Sequence, residues 1–488
     1  MNTVAGIDLG TQSCKVILYD YENKKLVAWS QVPIDMIADN EGTREQKAEW
    51  YQTAISQCFA ELAPELKKTI RALGVSGHQH SLVPLDAENK AVYNVKLWCD
   101  TSTATECLLL TAAAGGEQNL IVESGLPMRP GYTAPKVLWL KNNKPEAFEK
   151  LAHILLPHDY INFLLTGKYT AEAGDASGTA LFNIRTRKWS EQVCTLIDRK
   201  VLECLPQIIA PGSPAGEVSD IAAQAYGIPK GAIVATGSGD NMISAIGTGT
   251  VTDGFLTMSL GTSGTLFGFS ATPIIDPLGD LAAFCSSSGG WLPLLCTMNC
   301  TVASEEFRKL FALDVRSFDN EAAKAPIGAD GIVVLPFFNG ERTPNLPNGR
   351  ASVTGITAAN FKRENIARAA LESVIFGMRI GYDRFNHVGF KAQEIRLTGG
   401  AAKSPLLQEL AANIMNLPVH LPANDESGAL GAAIQALWTL TKEPLESLVA
   451  KHVILTQTIE PKTEAVKRYD EAYGEYSKYL EKLQSLYS

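Results

Sequence analysis

A chain of 488 residues is longer than one hydrophobic core ordinarily supports and fits two domains of about 200 to 250 residues each. With 45% hydrophobic and 19% charged residues and no low-complexity tract, the composition excludes extended disorder. A formal net charge of −9 with scattered basic residues excludes a nucleic-acid footprint, so an anionic ligand must be held by local geometry.

No run of about 18 apolar residues occurs, and the N-terminus enters a strand at once, so neither a membrane span nor export is expected. The nine cysteines are odd in number, widely spaced and without a Cys-x-x-Cys pair, and read as buried thiols of a cytoplasmic protein.

Residues 4–19 run as strand, turn and strand, with Lys15-Val16-Ile17-Leu18-Tyr19 alternating as a hairpin requires. The turn lies in Ile7-Asp8-Leu9-Gly10-Thr11-Gln12-Ser13. Helical periodicity follows over 50–68, then a short buried strand over 70–76 that ends in Gly77-His78-Gln79-His80. Residues 102–166 are helix-rich. A strand over 232–236 empties into Gly237-Ser238-Gly239-Asp240-Asn241, a polar strand end of the kind at which α/β sheets bind ligands. Asp253 and Gly254 mark the expected boundary between domains 1–250 and 251–488. Strands at 255–260 and 265–269 then repeat the opening hairpin, with Met258-Ser259-Leu260-Gly261-Thr262-Ser263-Gly264 at the turn. A strand over 332–338 runs into Asn339-Gly340-Glu341-Arg342-Thr343-Pro344, and a long amphipathic helix spans 364–385. A strand over 395–398 leads into Gly399-Gly400-Ala401-Ala402, and small residues at 428–433 open a helix suited to close packing or to a close-lying nucleotide.

The two Gly-Thr turns carry the chemistry. In each, backbone N–H groups can converge on an anion because no large side chain blocks the approach. Asp8 stands where the second copy has Ser259, so only one jaw of the clamp brings a carboxylate, as a magnesium-nucleotide site needs. Neither copy is a P-loop or a Rossmann fingerprint, and a repeat near the midpoint points to a duplicated domain that transfers phosphoryl groups. Taken singly, each element has a plainer reading. Asp8 alone is a turn-stabilising residue, Lys15 a solvated strand charge, Gly399-Gly400-Ala401 a loop, and Asp240 an N-cap for the helix that follows it. His78 and His80 share a strand face without a third ligand, so zinc is not expected.

Together these residues resemble the FGGY carbohydrate kinases over almost the whole chain. Gly131-Tyr132-Thr133-Ala134-Pro135-Lys136-Val137-Leu138-Trp139-Leu140 is similar to the first family signature. The second is similar to Ala351-Ser352-Val353-Thr354-Gly355-Ile356 through Asn365-Ile366-Ala367-Arg368-Ala369-Ala370-Leu371-Glu372. The resemblance implies an α/β fold of two duplicated actin/hexokinase-like (ribonuclease H-like) domains with an interdomain active-site cleft. The N-terminal domain would bind sugar and hold the catalytic Asp, and the C-terminal domain would bind nucleotide. Within the family the chain is most similar to kinases of five-carbon ketoses, whose pattern is Gly-Gln-Met-His-Gly followed by Leu-Trp-Asn-Asp. Here Gln79 replaces Met and Cys99 replaces Asn, while His80, Trp98 and Asp100 are kept.

That resemblance implies ATP-dependent phosphorylation, with D-xylulose the expected sugar and gluconate, glycerol or ribulose the alternatives. It makes Asp240 the catalytic base, and it gives Asp8 a role in holding Mg²⁺ through water. Gln79, His80, Trp98, Asp100, Asp240 and Asn241 would line the sugar site. Thr11, Lys15, Gly261, Thr262, Gly400, Ala401 and Ser404 would contact the nucleotide. Family members often form homodimers. A chaperone-like ATPase shares the core fold, but the set His80, Trp98, Asp100 and Asp240 argues against that reading.

Overall fold

The computed structural model describes residues 1–487. The chain forms two compact units, one of Met1–Thr252, Phe269–Pro293 and Glu426–Val453, the other of Asp253–Gly268, Leu294–Asp425 and Ile454–Ser488. The sequence reading divides the chain once, after residue 250; the structure instead returns two later segments to the first unit. For Glu426–Val453 the reason is packing of the small-residue helix Ser427–Thr441. A Cβ at Gly6 or Gly74 would lie 2.0 Å from the carbonyl oxygen of Ala429 or Ala432, so this helix rests directly on the first sheet. Gly247 and Gly431 allow equal closeness to the helix Asp240–Thr248. Gly431, Ala429 and Ala432 thus serve close packing.

In the first unit the strands are β1 (Thr3–Leu9), β2 (Ser13–Asp20), β3 (Lys25–Pro33), β4 (Ile70–Gly77), β5 (Pro214–Glu217), β6 (Ile233–Ala235) and β7 (Ser238–Gly239). They form one sheet in the order β5-β6-β4-β1-β2-β3, with β7 also beside β4. β1, β6 and β7 run parallel to β4, whereas β1, β2 and β3 form an antiparallel meander and β5 pairs antiparallel with β6. The alternation of Lys15 to Tyr19 thus gives the hairpin that its period predicts. Ala5, Ile7, Val16 and Leu18 bury one sheet face with Tyr51, Ile55 and Phe59 of the helix Ala48–Glu61.

In the second unit β8 (Phe255–Leu260), β9 (Gly264–Gly268), β10 (Trp291–Thr297, of which 294–297 belong to this unit and pair with β9), β11 (Glu394–Thr398), β12 (Val419–Pro422) and β13 (Leu455–Ile459) follow the order β10-β9-β8-β11-β12-β13. β8–β11 and β11–β12 are parallel and the other pairs antiparallel. These six strands repeat the order β3-β2-β1-β4-β6-β5 with the same relative directions, so the duplication visible in two short motifs extends through six strands of each sheet. The copies differ at the turn. Leu9 pairs with Cys14 but Leu260 pairs with Gly264, so the second hairpin is one residue shorter.

None of the cysteines forms a disulfide; Cys99 and Cys296 are half-buried, so the expectation of buried thiols fits only the remaining seven. Among the described residues no helix is long and apolar enough to cross a membrane.

Candidate active site

Register decides what meets in the first unit. Asp8 pairs with Ser76 and Leu9 with Gly77 across β1 and β4, while Ser238 pairs with Ser76 and Gly239 with Gly77 across β7 and β4. The C-terminal ends of three parallel strands therefore lie in line, which brings Asp8, Gln79, His80, Asp240 and Asn241 to one edge. Asp240 is the first residue of its helix, and Gly239 occupies the cap position, so the N-cap reading of Asp240 does not hold. The Asp240 carboxylate Oδ1 accepts from Asn241 N at 2.8 Å and from Asn241 Nδ2 at 3.1 Å. Asn241 Nδ2 also donates to Gln79 Oε1 at 2.6 Å.

His80 has φ 60°, a left-handed conformation uncommon for a side chain of its size. Its carbonyl is held by Thr133 Oγ1 and Lys136 Nζ, both at 2.9 Å, and its ring packs between Tyr132 and Phe284. Lys136 is wholly buried, and burial pushes its ammonium down to about 7. Asp175, which the sequence reading passed over, sits behind His80 and accepts from its backbone N at 3.4 Å. The other Asp175 oxygen meets His158 Nδ1 at 3.1 Å, and His158 Nε2 meets Asp159 at 2.9 Å. Burial opposes charge on His158, yet these flanking carboxylates raise its proton affinity well above the usual range. Glu172 accepts from Gly174 N, from Asp175 N at 2.7 Å and from Ser238 Oγ at 2.6 Å, tying the acidic cluster to the strand before Asp240.

Other expected residues are placed differently. Trp98 Nε1 donates to Thr11 Oγ1 at 2.9 Å, joining a sugar-site candidate to a nucleotide candidate. Asp100 is fully buried and accepts from Lys96 Nζ at 3.1 Å, Arg44 N at 2.8 Å and Ser102 Oγ at 2.6 Å, so its carboxylate pins the loop that carries Trp98. The ammonium of Lys15 lies 2.5 Å from Glu426, a partner with no signal in the sequence. His78 is a core histidine between Ser81 Oγ and Tyr51 OH, and burial lowers its proton affinity to about 3.

The model of the FGGY family of carbohydrate kinases matches the chain in both halves, the N-terminal domain over residues 3–247 and the C-terminal domain over 256–440. The chain belongs to the FGGY family of carbohydrate kinases. Xylulose kinase of Haemophilus influenzae is 40% identical over 98% of this chain and 99% of its own length. The crystal structure of ligand-bound xylulose kinase from Lactobacillus acidophilus matches with a TM-score of 0.93 at 26% identity, covering 100% of this chain and 99% of that one. Gluconate kinase from the same organism matches equally well, at TM-score 0.93 and 25% identity over 100% and 99% of the two chains, so backbone shape does not select the sugar.

In this FGGY kinase the carboxylates at the strand ends are electrostatically linked. Burial raises the proton affinity of Asp240 to about 7, with Asp8 and Asp175 adding to the effect. Burial likewise raises that of Asp8, with Glu426 adding, while Ser76 and Lys15 oppose the rise. In the second unit β8 and β11 place the turns after Leu260 and Thr398 side by side. Gly399, at φ 95°, is required there, because a Cβ would come within 2.5 Å of Leu260 O. A Cβ at Gly400 meets open space, and Ser404 caps the helix Pro405–Met415 through Leu407 N at 3.2 Å. Gly261 and Thr262 lie on the neighbouring turn, where Thr262 is exposed and the carbonyl of Gly261 accepts from Thr301 N at 3.1 Å. Glu341 accepts from Met298 N, Asn299 N and Arg342 N, organising the loop that bears the Glu-Arg-Thr-Pro motif.

Proposed function

We propose that the chain transfers the γ-phosphoryl group of ATP to the terminal hydroxyl of D-xylulose, giving D-xylulose 5-phosphate. The observation that carries this reading is end-to-end identity of 40% with a xylulose kinase, joined to a carboxylate of raised proton affinity at the converged strand ends. Asp240 accepts the proton of the attacking hydroxyl. Oδ1 already receives two N–H groups, so Oδ2 is the oxygen left for that proton. Transfer passes through a loose, metaphosphate-like transition state, and catalysis rests chiefly on positioning and charge stabilisation. His80 and Asn241 orient the sugar, and Trp98 offers an apolar face held in place by Thr11. The turns at Gly261-Thr262 and Gly400-Ala401 bind the nucleotide.

Magnesium fits the residues present. Asp8 supplies hard oxygen donors, and the absent side chain at Gly428 leaves room beside them, since a Cβ there would lie 2.8 Å from Asp8 Oδ2. When bound through Asp8, Mg²⁺ would neutralise phosphate charge. A coupled assay of ADP release across a pentulose, polyol and aldonate panel tests the function. The expected result is turnover that depends on added sugar and is fastest with D-xylulose; sugar-independent ATP hydrolysis, or preference for an aldonate, would reject it.

A further inference from the structure

The Asp240 carboxylate accepts hydrogen bonds, so the Asn241 atom 3.1 Å from its Oδ1 is the amino nitrogen. That same nitrogen lies 2.6 Å from the Gln79 side chain, whose facing atom must then be the carbonyl oxygen. One carboxylate thus dictates the orientation of two amides in sequence. Gln79 Nε2 is left against Met242 Sδ at 3.1 Å, a weak acceptor. Both hydrogens of the Asn241 amino group are now used, leaving its Oδ1 to accept from a ligand hydroxyl. Gln79 is 5% exposed, and Gly239 packs on it so closely that a Cβ would come within 2.5 Å of Gln79 Cγ. Its side chain is therefore held beneath the segment that carries the base.

We infer that Gln79 is a positioning residue for phosphoryl transfer: its side-chain carbonyl anchors the Asn241 carboxamide, which sets Asp240 for proton transfer and commits Asn241 Oδ1 to accepting a sugar hydroxyl. The inference rests on Asp240 being the base. It gives Gln79 no direct contact with sugar and explains why an amide at this position shapes the site.

Steady-state kinetics on D-xylulose with Gln79→Met, Asn241→Ala and the double variant test it. Methionine matches glutamine in length and removes the acceptor, so Q79M should lower kcat/KM by about tenfold, most of it in kcat, the size expected for one lost buried hydrogen bond. If Gln79 acts through Asn241, Q79M adds nothing once Asn241 is gone, and the double variant stays within about twofold of N241A. A larger loss in the double variant, as direct sugar contact or mere packing would give, overturns the inference, as does wild-type kcat in Q79M. Gln79→Leu replaces Q79M in the same cycle if Q79M does not fold. Asp240→Asn run alongside separates the two readings. Wild-type turnover in D240N overturns the base assignment and this inference with it, whereas an inactive D240N with multiplying losses overturns the inference alone.

Discussion

The proton affinity of Asp240 is set by burial and by three neighbours, the Asp8 and Asp175 carboxylates that raise it and the Asn241 N–H groups that hold Oδ1. Asp240→Asn keeps the shape and the accepted hydrogen bonds but removes proton affinity, so kcat should fall by roughly 10²–10⁴ with the fold intact. Coupled ADP release at saturating xylulose checks this. The same shift predicts a pH signature in stability. An aspartate in the unfolded chain titrates near ~3.9, whereas the folded carboxyl holds its proton to about 7. Folding thus favours the protonated form, and the native state is penalised progressively as pH rises from the first value through the second. The Tm gain of D240N over wild type should therefore be widest at pH 8 and close as the pH falls toward 4, measured by calorimetric scans. A gain that did not change with pH would place its cause outside ionisation. Asp240 and Gln79 were readable because each ends a strand pattern with a polar residue. Asp175 and Glu426 were not, because their importance comes from partners at His158, His80 and Lys15, far away in sequence.

At the scale of elements, the hairpin turns show what glycine contributes. Gly261 lies outside the left-handed region, and a Cβ there would meet only Ser263 O, at 3.3 Å. Gly261→Val should therefore fold, yet its branched side chain would cover the backbone proposed to bind phosphate and weaken ATP binding by about tenfold or more, the effect of one lost charge-assisted hydrogen bond. Titration calorimetry with ATP and with xylulose separately should show the first weakened and the second unchanged; equal ATP affinity would make the turn purely structural. The strands and this repeat were legible from alternation and motif. The helix Ser427–Thr441 shows where local reading ends, since its small residues suited either a nucleotide or another helix. Backbone contacts at Gly6, Gly74 and Gly247 show the packing, while Gly428 at the start of the helix lies beside Asp8.

For the molecule as a whole, the proposed function assigns sugar to the first unit and nucleotide to the second, although their strand orders match. Each ligand stabilises the unit it binds, by about 2.7 kcal/mol at a hundredfold excess over Kd. Hydrogen exchange should therefore slow around 77–80, 97–100 and 238–242 when xylulose is added. ATP should instead slow exchange around 259–264 and 398–404. Uniform protection of all five segments by xylulose alone would contradict that division.

Read alone, the amino-acid order determined the α/β class, the duplicated Gly-Thr turns, the family signatures and the polar strand ends, because each is encoded in local periodicity or contiguous residues. Only tertiary structure decided that the chain returns to its first unit at Glu426–Val453, that Lys15 is taken by Glu426, that Asp100 supports a loop, and that Gln79 grips Asn241. These outcomes depend on strand register and on buried groups finding partners across long sequence separations. A buried carboxylate or amide accepts whichever donor the fold brings within reach, and no local pattern records which donor that is.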